Sequence, residues 1–278
     1  MSCRDILVQV DATAPSRARA ATAAAIAHRF GAHLTGVFLR TSFPAQYFEG
    51  GPYWATPPGV LHEVIQRHNE TVDEAESSAR QAFEAVADEA GVRSDWLSLS
   101  GDTQEPMADC MRRVDLTILP RDPDPVLGQS GISPAQLGLT IGGPILILPD
   151  PPPGQTVGER VLVAWNGKRE AARALRDAWP FIAAADQVHV LIVGPKAGDG
   201  PDSRLQRHFE HHGCEADVIV DRSEDASAGR VILETAAALK ADLVVMGLYG
   251  HSRLRQFILG GASRELLREA SVPLLISH

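Results

Sequence analysis

The chain repeats itself, and that repeat limits its fold more than any other feature. Arg4 to Asp11 is an apolar run closing on an acid, and Glu159 to Asn166 is an apolar run closing on the corresponding amide. Each leads into an Ala/Arg-rich segment that reads as a helix, Ser16 to Phe30 and Lys168 to Ala184, and then into a second apolar run, Leu34 to Leu39 and Val188 to Val193. Further on, Val114 to Pro120 matches Ala241 to Gly247, and Gly143 to Leu148 matches Val272 to Ser277. Correspondences that recur in one order mark a single supersecondary unit built twice. Because the runs are β-branched without polar alternation, they suit parallel strands covered by helices on both faces. The expected fold is α/β, with two tandem doubly wound parallel-sheet domains of Rossmann-like type.

The proline-rich stretch Asp150 to Thr156 is too stiff and too poor in donors to continue a strand, so we divide the chain into domains 1–150 and 157–278. The first domain carries an insertion, 41–62, rich in aromatic residues (Phe43, Tyr47, Phe48, Tyr53, Trp54). We expect it to pack over its own domain or a subunit interface rather than bind a ligand. The helix that follows, Val60 to Ala90, reads as long, charged and solvated.

Composition excludes several classes. With 44% apolar and 22% charged residues the chain can bury a sizeable core. Its net charge of -9 repels nucleic acid and anionic membranes at long range, so neither is expected as a partner. No apolar run approaches the roughly 18 residues of a membrane span, and the N-terminus enters a strand without a signal-peptide core, which predicts a cytoplasmic protein. Cys3, Cys110 and Cys214 form no C-x-x-C pair and suggest neither a disulfide nor a thiolate metal site.

The chemistry concentrates after Leu243 to Met246. There the chain reads Gly247-Leu248-Tyr249-Gly250, nine further residues, then Gly260-Gly261-Ala262-Ser263 opening the helix Arg264 to Ala270. Glycines at 247 and 250 let the chain turn off the carboxyl end of a parallel strand, where open α/β sheets bind ligands. Gly260 and Gly261 bare N–H groups at a helix N-terminus, a ready phosphate site to which Ser263 can add a hydroxyl. Arg253, Arg255, Arg264 and Arg268 against Glu265 give this window a net charge of +3 in an acidic protein. His251 lies inside the loop and is a further candidate phosphate contact.

This segment, with its preceding strand and the closing Val272-Pro273-Leu274-Leu275-Ile276, resembles the ATP-binding signature of the universal stress protein (UspA-like) family, written G-x2-G-x9-G followed by Ser or Thr. The resemblance covers both halves, as in tandem members, and implies the family's adenine nucleotide alpha hydrolase-like fold. It further implies that adenine lies near Ala164, Trp165, Asn166 and Val193, while Met246, Gly247, Gly250, Gly260, Gly261 and Ser263 meet the phosphates of ATP, carried with Mg2+. A role in stress response or signalling follows from it. So does pairing of the closing strands Ile145 to Leu148 and Leu274 to Ser277 into an intramolecular pseudo-dimer with an approximate two-fold axis, able to form a homodimer in turn. The chain departs from the family pattern in Asn166 for the usual Asp, Gly261 for Ser or Thr, and Lys168 for a small hydroxyl residue.

In the first half Pro120 stands at the equivalent of Gly247, and Asp122 and Asp124 outweigh Arg121, so we expect no ATP there although Asp11 is kept. The sequence shows none of the G-x-S-x-G, H-E-x-x-H or G-x-x-x-x-G-K-[ST] motifs, so no catalytic residue is nominated, and weak ATP hydrolysis is the most we expect. His208, His211 and His212 sit at helical spacings with Glu210 between them, and two of them could share a face and hold a divalent metal, but no further acid or thiol is placed beside them, and a solvated helix end is the expectation. The residues leave two functional readings open, a nucleotide-binding stress or signalling module and a nucleotide-free scaffold or binder of another small ligand acting through protein partners.

Overall fold

The structure is a computed structural model that describes residues 3–43, 58–121, 133–150, 152, 156–194, 203–223, 226–248 and 261–278. Of the aromatic insertion, Tyr47, Phe48, Tyr53 and Trp54 lie outside these residues, as do Asp122, Asp124, Gly250, His251 and Gly260.

The first half runs β1 (Asp5–Gln9), α1 (Ala14–Phe30), β2 (His33–Arg40), α2 (Pro58–Glu89), β3 (Ser94–Ser100), α3 (Glu105–Met111), β4 (Leu116–Pro120), α4 (Pro134–Ile141) and β5 (Ile145–Leu148). The second runs β6 (Arg160–Ala164), α5 (Arg169–Asp177), α6 (Trp179–Ile182), β7 (Gln187–Val193), α7 (Ser203–His211), β8 (Asp217–Asp221), α8 (Ala228–Ala238), β9 (Leu243–Gly247), α9 (Gly261–Glu269) and β10 (Leu274–Ser277). All strands join one sheet in the order β3-β2-β1-β4-β5-β10-β9-β6-β7-β8, which reads the same from either end. Within each half the pairs are parallel, and β5 and β10 pair antiparallel, with Leu275 opposite Leu146. The closing strands thus pair with each other, and two doubly wound units share a continuous sheet.

The same devices build both halves. Asp115 accepts the backbone N–H groups of Arg4 and Asp5 at 2.7 and 3.1 Å, pinning the start of β1 to the start of β4. Asp242 does the same for β6, accepting from Gly158, Glu159 and Arg160 at 2.9 to 3.0 Å. After β1, the Asp11 side chain accepts the Thr13 N–H at 2.8 Å; after β6, Asn166 accepts the Lys168 N–H at 3.0 Å. In each case the turn leads to the N-cap position of the next helix, Thr13 for α1 and Lys168 for α5.

Two apolar layers sandwich the sheet. One lies beneath α1, α2, α5, α6 and α7 and includes Ala23, Phe83, Ala174, Phe181 and Phe209; the other lies beneath α3, α4, α8 and α9 and includes Met107, Leu137, Ile232 and Leu266. Two expectations change here. The helix α2 is not solvated throughout: Val72, Ala79, Phe83, Val86 and Ala87 are buried, while Val60 and Val64 stay exposed. Phe83 seats on Gly36 of β2, where a Cβ would come within 2.9 Å of its ring, and packs beside Trp96. The helix expected over Lys168 to Ala184 is interrupted at Ala178, and Pro180 restarts it as the short α6. No helix among the described residues is long and apolar enough to cross a membrane.

Candidate functional site

In a doubly wound sheet the chain leaves β6 toward β7 on one side and β9 toward β10 on the other, so a crevice opens at the carboxyl ends of β6 and β9. A cavity of about 170 Å³ lies there. Ala164 ends β6, and Trp165 and Asn166 follow it; Val193 ends β7; Met246 and Gly247 end β9; Gly261 and Ser263 open α9. These eight residues, drawn from four separate stretches of sequence, all line that cavity. The volume is below the roughly 300 to 1,000 Å³ of complete small-molecule pockets. Residues 249–260, between the lining residues Gly247 and Gly261, lie outside the described set.

The chemistry of the cavity is split. Its inner wall is apolar, with Leu191 of β7 and Ile232 of α8 beside Met246. Its polar side is the N-terminus of α9, where Gly261, Ala262 and Ser263 supply N–H groups that an α-helix leaves without internal partners. No acidic residue sits in the first turn of α9, so its dipole is uncompensated by a carboxylate there. A Cβ on Gly261 would meet open space, and Ser263 is buried. An apolar slot ending at bare helix donors can take a flat apolar body joined to an anion, and these residues fit a nucleotide in that sense.

Gly247 has a different reason to be glycine from the turn expected of it. It remains in β9, paired with Ser277. A Cβ there would lie 2.4 Å from the Glu170 carbonyl carbon and 2.6 Å from the Ala171 nitrogen, so its absence lets α5 start against the strand end. Ala171, Leu191, Ala228 and Ile232 are lining residues that sequence reasoning did not nominate. The N-cap of α8 was a usable signal: Ser227 accepts the Arg230 N–H at 3.2 Å, which places Ala228 at the helix start. The Ser227 hydroxyl also donates to Glu265 at 2.5 Å, tying the first turn of α8 to α9.

The corresponding end of β1 is arranged otherwise. Arg19, fully buried on α1, donates to the Gln9 carbonyl at 2.9 Å, to Asp11 at 2.5 Å and to Asp150 at 3.4 Å. Asp11 is therefore engaged by a cation of its own domain. In the second half the residues at the same offsets are Asn166 and Ala174, and that charge pair is missing from them.

Comparison with known proteins agrees with this fold. The universal stress protein family model matches residues 158–278. Universal stress protein Slr1230 of Synechocystis sp. is 27% identical over 156 residues, covering 53% of this chain and 51% of the relative, so the match spans about half the length of each. A universal stress protein from Archaeoglobus fulgidus superposes with a TM-score of 0.72 at 17% identity, covering 100% of this chain and 99% of that one. A functionally unknown protein from Pseudomonas aeruginosa gives 0.53 at 16% identity, covering 99% and 92%. Residues 158–278 thus match the universal stress protein family model, and over its whole length the chain shares the fold of the Archaeoglobus fulgidus universal stress protein.

Proposed function

We propose that the second half binds an adenine nucleotide, ATP with Mg2+, and that the chain acts as a stress-response or signalling module with one working site in two units, 1–150 and 157–278. The observation that carries this reading is the convergence of Ala164, Trp165, Asn166, Val193, Met246, Gly247, Gly261 and Ser263 on one cavity that ends at the α9 N-terminus. The base lies against the apolar wall, the phosphates meet the first N–H groups of α9, and Mg2+ enters with the phosphates to offset their charge. In sequence, Gly250, His251 and Gly260 complete the loop between Gly247 and Gly261. Three or four hydrogen bonds to charged oxygens at about 1.5 to 3 kcal/mol each, less ordering costs, give an affinity in the micromolar range. The first half has given up the site: Pro120 replaces the close-approach glycine and Arg19 already neutralises Asp11.

Calorimetric titration with ATP and Mg2+, alongside a Gly261→Asp variant, tests the proposal. The new carboxylate would sit in the first turn of α9, where it favours the helix but repels a phosphate. Expected are one nucleotide per chain, and in the variant a thermal stability that is equal or higher with an affinity lower by more than about tenfold, or 1.4 kcal/mol. A folded wild-type protein giving no heat sinks the nucleotide reading in favour of a scaffold or another ligand.

A further inference from the structure

One cluster in the second half plays no part at the nucleotide cavity. His208 lies on α7, and His212 follows one residue beyond its end, with its N–H donated to the Phe209 carbonyl at 3.0 Å. The two side chains are one helical turn apart, with ring centroids separated by 4.8 Å. Trp179, at the start of α6, has its ring centroid 4.6 Å from that of His212 and 5.7 Å from that of His208, and it also packs against the buried Phe209. The imidazoles therefore rise from a common aromatic floor, and both histidines are exposed to solvent.

We propose that His208 and His212 form a chelating site for a late first-row divalent cation, copper(II) first, then nickel(II) and zinc(II), with Trp179 as its floor. Imidazole suits these ions, and the order follows their general affinity for nitrogen ligands. A single ion with metal–nitrogen bonds of about 2 Å can be shared by two imidazoles one turn apart on a helix. Partial burial, the neighbouring His212, the Arg176 guanidinium of α5 and His211 all hold the His208 imidazole below its usual pKa. Among the described residues no group of three or more His, Cys, Asp or Glu is placed to hold an ion, so water fills the remaining positions. Two protein ligands beside a cationic Arg176 make a site of moderate affinity and fast exchange, unlike a closed structural one. The pair packs on the α1/α5 side of the sheet, whereas the cavity-lining Met246, Leu191 and Ile232 belong to the other side, so either proposal can fail without the other.

The test uses the full, tag-free chain titrated with copper(II) at pH 7.5 in a non-coordinating buffer, read by calorimetry and by tryptophan fluorescence. Expected are one saturable site per chain and quenching that is lost in Trp179→Phe. His208→Asn and His212→Asn should each weaken binding by more than about tenfold, since even second-shell losses cost that much, while His211→Asn should leave it unchanged. Absence of binding to the wild type, or wild-type affinity retained in both His208→Asn and His212→Asn, overturns the proposal.

Discussion

Replacing Arg19 by methionine keeps most of the side chain's bulk and removes only the charge that holds three parts of the first half together. The guanidinium bridges Gln9, Asp11 and Asp150. Asp11 is 5% exposed, and once Arg19 is gone its carboxylate keeps, among the described residues, the donors of Thr13. Removing one partner of a buried pair costs about 3 to 5 kcal/mol, because the other charge stays behind uncompensated. For a chain of this size each kcal/mol shifts the midpoint by about 2 to 4 °C, so Arg19→Met should melt roughly 6 to 20 °C lower. The second half already contains the remedy. There Asn166 offers the same oxygen to the backbone N–H two residues on, with Ala174 in place of the arginine. Asp11→Asn combined with Arg19→Met should therefore recover most of the loss. Thermal and urea unfolding of both single variants and the double variant decide the matter. A loss below about 1 kcal/mol in Arg19→Met, or a double variant equal to the sum of the singles, would refute the reasoning.

Three further outcomes are expected. Lys240 ends α8 with φ of 52°, a left-handed conformation that costs an L-residue about 1 kcal/mol or more, so Lys240→Gly should stabilise the chain by up to about 1 kcal/mol in urea unfolding. Gly247→Ala puts a methyl group against the first turn of α5 and should cost about 1 to 3 kcal/mol, with a loss of nucleotide affinity in the same calorimetric assay as above. Burial, with Asp115 and Asp5 nearby, pushes the Cys3 thiol up to about 12 from an ordinary 9.0. The unfolded chain then loses this proton first, so stability falls as pH rises from about 9 to about 12, by at most about 1.4 kcal/mol per unit, and Cys3→Ala should flatten that limb.

Much of the architecture was legible because a buried parallel strand must be an uninterrupted apolar run, and the runs at Ile6, Val161, Ile145 and Leu274 are. The repeat then supplied the topology, and the topology supplied the crevice. What escaped reading depends on contacts distant in sequence or on volume. The Arg19 bridge couples α1 to Gln9 and to Asp150, 131 positions away, and nothing near Arg19 marks it as buried. The buried stripe of α2, from Val72 through Phe83 to Ala87, is diluted by the charged residues of its other faces. Gly247 was read correctly as special but for the wrong reason, since a close approach by Glu170 and Ala171 has no local signature. The break at Ala178 was signalled by Pro180 and was outweighed by the long Ala/Arg pattern around it.

The antiparallel seam between β5 and β10 turns the second half end for end relative to the first. The carboxyl ends of β6 and β9 therefore emerge on the same rim of the sheet as the amino ends of β1 and β4, about 15 Å, or a strand's length, from the rim that holds Arg19 and Asp11. A homodimer of single units presents two identical rims, whereas this chain presents one rim with the cavity between Ala164 and Ser263 and one with the buried Arg19–Asp11 pair. Any surface that docks along a rim thus meets loops from both halves at once, and the molecule has a front and a back.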